Sequence, residues 1–189
     1  KIFMDSIKGL QVDVATSAGS VENPLLIGQG EHDMGISNSD AILEAFSGTK
    51  RFTGKKQENL RLLFSGLAGG GFHAVTGKDI TSFEQLKGKH IAMGPEGGST
   101  RVVALQVLKA YGIEAADIKV SYLPYDEGMT MLMDGQVDAS FAAGAWPLSA
   151  LQQLAANANF KYNLLSVDMD KARRLTAETR ALSIATIPA

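Results

Sequence analysis

Cysteine is absent from the 189 residues. That absence excludes disulfides, thiolate nucleophiles and cysteine-based metal sites together. It does not choose a compartment, since cysteine-free chains occur in both cytoplasm and periplasm. Histidine is scarce, with three residues at His32, His73 and His90. None has a ligand-like neighbour two, three or four positions on, so neither metal binding nor histidine-based catalysis is indicated. No Gly-x-Ser-x-Gly elbow occurs, and no two carboxylates have a spacing that argues for a general acid and base. The glycine-bearing turn at residues 94–100 lacks the lysine of a phosphate-binding P-loop. An excess of one charge is missing too: 18 Lys and Arg stand against 20 Asp and Glu, for a net charge of −2. Neither nucleic acid nor an anionic membrane is therefore implied as a partner. The apolar runs are far shorter than the ~20 residues a membrane-spanning helix needs. The expected sets of catalytic residues, metal ligands and cofactors are all empty.

What is present is a 45% hydrophobic chain, enough to build a core in one domain or in each of two small lobes. Alternating or continuous apolar runs predict strands at 11–16, 33–37, 60–67, 72–75, 90–93, 118–123, 137–142 and 162–167. Helical spacing predicts helices at 21–29, with Ser20 as N-cap, and from Ser39 or Asp40 to about 46. Further helices are expected at 82–86, 100–111 with Gly112 as terminator, 127–133, 147–157 and 170–180. Residues 48–58 read as a polar loop. Strands that alternate with helices imply an α/β fold with a mostly parallel sheet. The chain ends read as those of a piece of a longer protein, without signal-peptide architecture.

Three turns stand out: Ala18-Gly19-Ser20-Val21, Gly35-Ile36-Ser37-Asn38 and Gly97-Gly98-Ser99-Thr100. Each is small, polar and glycine-bearing, and each lies between an apolar run and a helical pattern. Such turns present unpaired backbone N–H groups at a helix N-terminus, where the macrodipole favours an anion. A capped helix with no ligand would look the same. Arg101 sits in the first turn of its helix, where the dipole disfavours a cation, which suits either an anionic partner or a salt bridge. Tyr125 and Ala143-Gly144-Ala145-Trp146 lie in further strand-to-helix loops. The lone Trp146 suits a core or a cleft wall equally. In open α/β sheets ligands bind beyond the carboxyl ends of the strands, where these loops fall.

Together these segments resemble the TAXI group of solute-binding proteins, which serve tripartite ATP-independent periplasmic (TRAP) transporters. The resemblance is carried by Gly19-Ser20-Val21-Glu22-Asn23, by Asp33-Met34-Gly35-Ile36-Ser37-Asn38-Ser39-Asp40, and by Leu86-Lys87-Gly88-Lys89-His90-Ile91-Ala92-Met93-Gly94-Pro95. Gly98-Ser99-Thr100-Arg101, Tyr122-Leu123 and Asp134-Gly135-Gln136-Val137-Asp138-Ala139 continue it, in the family's order, over nearly the whole chain.

The resemblance implies a two-lobed type II periplasmic binding-protein fold whose first lobe is incomplete. Residues 1–75 would form that lobe and 78–189 the second, with a crossover near Thr76-Gly77-Lys78. It implies a periplasmic or otherwise extracytoplasmic, membrane-associated receptor, not an enzyme and a monomer at full length. That receptor binds a small carboxylate such as glutamate or a dicarboxylate, and its partners are the TRAP membrane subunits. Gly19, Ser20, Val21, Ser37 and Asn38 would line the first lobe, although the family usually has glutamine at the position of Asn38. Gly98, Ser99, Thr100, Arg101, Tyr125, Gly144 and Trp146 would line the second. Two other readings use the same fold: an enzyme acting on a small anion, and the effector-sensing part of a transcription regulator.

Overall fold

Three successive helical connections carry the chain between strands that all point the same way, and one strand enters against them. The computed structural model describes residues 7–65, 70–179 and 182–186. Its strands are β1 (Gly70–Gly77), β2 (His90–Ala92), β3 (Lys119–Ser121), β4 (Ala139–Ala145) and β5 (Tyr162–Leu165), ordered β3-β2-β4-β1-β5 in one sheet. β2 is parallel to β3 and to β4, whereas β1 is antiparallel to both β4 and β5. The sheet is thus mixed rather than mostly parallel. The connections from β2 to β5 each contain an α-helix that returns the chain to its starting edge. The connection from β1 to β2 holds a short 3-10 turn, Phe83–Leu86, and reverses the direction. β1, which the expected boundary at residues 75–78 gives to the first lobe, lies inside this sheet between β4 and β5.

Helices cover both faces. α3 (Thr100–Ala110) packs on β1 and β4 from one side; α4 (Tyr125–Met133) and α5 (Ser149–Ala156) pack on the other. α6 (Met169–Glu178) lies against α3. The two faces have separate cores. Phe83, Leu86, Ile91, Leu108 and Phe141 belong to one, and Val75, Met129, Leu132, Leu151 and Leu154 to the other. A methyl group at Gly128 would come within 2.8 Å of Ser140 Oγ and 3.2 Å of Ala92 Cβ, so this glycine lets α4 sit close on the sheet.

The N-terminal part is a smaller unit. α1 (Asn23–Gly28) and α2 (Ser39–Ser47) close with the 3-10 turn Lys50–Phe52 over a core of Ala41, Ala45, Phe52 and Leu60. Arg51 ties it together, its Nε 2.6 Å from Glu44 and its Nη2 2.7 Å from Asp40. The strands expected at 11–16 and 33–37, and at 60–65 of the expected 60–67, form no ladder among the described residues; residues 66–67 lie outside them. A strand needs a neighbour to take its N–H and C=O groups, and alternation alone supplies none: Val14 is 92% exposed. Helix starts moved as well. Glu22, not Ser20, is the N-cap of α1, because Pro24 suits the first turn. Asn38 takes that place for α2.

Candidate functional site

The site is built from loops strapped to one another. Glu22 Oε2 accepts from the backbone N–H of Ala18 at 2.6 Å, which tightens the turn in which Gly19 adopts φ +109°. Ser37 Oγ donates to the Ser20 carbonyl at 2.6 Å, and Asn23 Nδ2 donates to the Ile36 carbonyl at 2.6 Å. These two bonds hold residues 36–38 against residues 20–23. The Ser37 hydroxyl is therefore engaged in holding Ser20.

This assembly rests on the larger unit. The Val21 N–H donates to the Gly97 carbonyl at 3.2 Å. A methyl group at Gly97 would fall 2.6 Å from Ala18 Cβ. The glycines at 97–98 thus admit a neighbouring loop, where sequence alone suggested close approach of a ligand.

Beyond this contact a broad cleft opens, with a volume of about 2690 Å³. Small-molecule pockets usually measure ~300–1,000 Å³, so this is an open trough with room for more than one small molecule. Gly19, Ser20, Ser37 and Asn38 line it from the N-terminal unit. Gly98, Ser99 and Tyr125 line it from the larger one, and Gly144 and Trp146 at the end of β4. Val21, Thr100 and Arg101 are not in its lining. Val21 packs against the small N-terminal core. Thr100 is fully buried, its Oγ1 2.6 Å from the Tyr125 hydroxyl. Arg101 is exposed, with its guanidinium carbon 5.3 Å from the centre of the Tyr122 ring. The misplaced first-turn cation has found an aromatic face, and among the described residues it makes no salt bridge.

Ser99 is the N-cap residue of α3, yet its side chain caps nothing. It is 8% exposed, lines the cleft, and among the described residues its hydroxyl has no hydrogen-bond partner. A hydroxyl left open to the cleft, on a largely buried residue at the positive end of an 11-residue helix, is suited to a negatively charged guest.

The sequence set His73 aside with the other two histidines, its one signal being a polar residue in an apolar strand. It lines the cleft at 2% exposure, 6.0 Å from the Trp146 ring, with Nε2 3.4 Å from the Gly144 carbonyl. Its Nδ1 is buried without a partner. Burial pulls its pKa below the ordinary 6.5, and the Gly144 carbonyl offsets part of that. The neutral ring is thus favoured in the fold. As pH falls below about 6.5 the unfolded chain takes up a proton first, so stability present above that pH is lost until the folded ring also titrates. Thermal melts of His73→Gln should show a shallower acid slope just below pH 6.5 than the parent; equal slopes would contradict this. His90 lies outside the cleft lining, with its ring nitrogens engaged by Gln136 O at 3.1 Å and Ser121 Oγ at 2.8 Å.

Among the described residues no group of three or more His, Asp or Glu could hold a metal ion, and no helix is long and apolar enough to cross a membrane. The chain matches the NMT1-like family over residues 1–189. Among solved structures it is similar to a periplasmic sulfonate-binding protein of Methylobacillus flagellatus KT, at 21% identity and a TM-score of 0.42, over 50% of this chain and 27% of that one. It is also similar to the periplasmic aliphatic sulphonate-binding protein of Escherichia coli, at 23% identity and a TM-score of 0.42, over 53% of this chain and 33% of that one. A third is a Prochlorococcus marinus protein in complex with methylphosphonate, at 18% identity and a TM-score of 0.40, over 50% of this chain and 39% of that one. The chain therefore spans about a third of the length of these structures.

Proposed function

The chain belongs to the NMT1-like family, and on that premise we propose that it is a solute receptor that holds a small carboxylate in the cleft without transforming it. The observation that carries this reading is the hydroxyl of the largely buried Ser99 at the N-terminus of α3, unpartnered among the described residues and facing a cleft that Ser20 and Asn38 line from the other unit. An anion there gains the helix dipole, worth about 0.3–1 kcal/mol when exposed and up to ~2 kcal/mol when partly buried. The open volume suits a receptor that closes on its guest. Residues 7–65 act as one lobe and the sheet with its helices as the other. The resemblance to TAXI proteins favours an extracytoplasmic setting and a TRAP membrane transporter as the partner that takes the solute onward.

The test begins with mass spectrometry of small molecules released from protein purified under native conditions. A carboxylate is the expected finding. Calorimetry with succinate, L-glutamate and a neutral sugar then ranks the classes, and preference for the sugar would overturn the reading. Ser99→Ala should weaken carboxylate binding by roughly ten- to a hundred-fold, the range for a hydrogen bond to a charged group. An unchanged affinity would remove the α3 terminus from the site.

A further inference from the structure

Thr100 is fully buried, and among the described residues its hydroxyl has a single hydrogen-bond partner, the Tyr125 hydroxyl at 2.6 Å. Distance alone leaves the donor open. Burial decides it. A hydroxyl has one proton to place, and stranding it where water is excluded costs the full desolvation of that group. If Thr100 accepted from Tyr125, its own proton would be stranded. If Thr100 donates, its proton is satisfied, and the Tyr125 proton is left to find an acceptor. Tyr125 can afford that, because it is half-buried and lines the cleft.

The local backbone holds this arrangement in place. Gly94 adopts φ +73°, and its carbonyl accepts from the Leu123 N–H at 3.1 Å. A Cβ at this position would lie 2.7 Å from Tyr125 Cε1 and 3.3 Å from Thr100 Oγ1. The ring thus lies across a glycine that leaves it room to reach Thr100.

We propose that Thr100 is a positioning residue that donates to the Tyr125 oxygen and so aims the Tyr125 phenol proton into the cleft, making Tyr125 the second unit's donor to an anionic group of the guest. This rests on the small-carboxylate reading above and names the group that would contact the carboxylate. A donor whose oxygen already accepts a hydrogen bond is polarised toward giving its own proton, and a bond from it to a charged acceptor is stronger than a neutral one.

The experiment titrates the full chain with succinate and L-glutamate and follows the fluorescence of the single Trp146. Tyr125→Phe should weaken binding about ten- to a hundred-fold, the range for a hydrogen bond to a charged group. Thr100→Val should show most of that loss, and Thr100→Ser should restore affinity to within about three-fold of the parent. The Thr100→Val, Tyr125→Phe double variant should bind no more weakly than Tyr125→Phe alone. Parent affinity in Tyr125→Phe, or a further loss when Thr100→Val is added to it, would overturn the proposal. If the unmodified chain binds neither probe, the carboxylate reading fails, and the hydrogen bond is then judged without ligand. With 13C at tyrosine Cζ, the resonance assigned by its loss in Tyr125→Phe should move in Thr100→Val and return in Thr100→Ser. A resonance unmoved by Thr100→Val would overturn the assignment of donor and acceptor.

Discussion

Phe141→Ala is expected to destabilise the protein by about 3–5 kcal/mol, the range for removing a buried aromatic ring. Phe141 is 0% exposed in the middle of β4, paired across the sheet with Ala74 of β1. Its ring meets Phe72 edge to face, with centroids 5.3 Å apart. The other members of that core lie on different elements, Leu108 on α3 and Ile91 on β2, so no single shift can close the hole. Phe141→Leu keeps most of the volume and should recover more than half of the loss. Urea denaturation followed by circular dichroism measures both variants. A loss below about 1 kcal/mol in Phe141→Ala would mean that this face of the sheet is not the main core.

Arg51→Met should cost about 2 kcal/mol, below the ~3–5 kcal/mol seen when one partner of a fully buried ion pair is removed, because the Arg51 and Asp40 side chains are 21% and 23% exposed. Arg51 is the shared partner of Asp40 and Glu44 on α2. Burial alone would lower its pKa, but the hydrogen bonds to Glu44 and Asp40, together with their charge, raise it above the ordinary value. Without Arg51, the Glu44 carboxylate stays at 7% exposure with Lys50 as its remaining cation, 3.4 Å away and itself 73% exposed. That residual pair limits the loss further. The core beneath is small, comprising Ala41, Ala45, Phe52 and Leu60, so the loss should fall on the N-terminal unit. Hydrogen exchange would register faster exchange across 42–47 with the sheet amides unchanged. Adding Glu44→Gln to Arg51→Met should return part of the stability, because it removes the stranded charge. Equal exchange in Arg51→Met and the parent would show that the ion pairs are dispensable.

The legible part of the fold is the part whose partners are written into its own periodicity. The helix expected at 100–111 runs over Thr100–Ala110, with Ala104, Val107 and Leu108 buried on one stripe. It ends where Gly112 takes φ +74°. The strand patterns at 90–93 and 118–123 become β2 and β3, because each finds a parallel neighbour across a helical crossover. The patterns at 11–16 and 33–37 are no weaker as sequences, but no neighbouring strand pairs with them among the described residues. The reversed direction of β1 was not legible either. It depends on a connection too short in regular structure to carry the chain back, and not on any residue of β1 itself.

The sequence by itself determined the α/β class, the positions of most helices, and the loops that gather at the cleft. These follow from local spacing, from glycine at positive φ, and from small polar residues ahead of helices, all properties of a few consecutive residues. Only the tertiary structure decided which polar group is free and which is occupied. Ser37 and Ser99 are both serines in glycine-bearing turns, yet Ser37 is spent on the Ser20 carbonyl while Ser99 stands open. Thr100 points to Tyr125, 25 residues away. Arg101, next to it, turns out of the cleft to Tyr122. A hydroxyl's or guanidinium's role is set by the nearest acceptor or π-face in space, and that neighbour comes from another loop. No run of adjacent residues can name it.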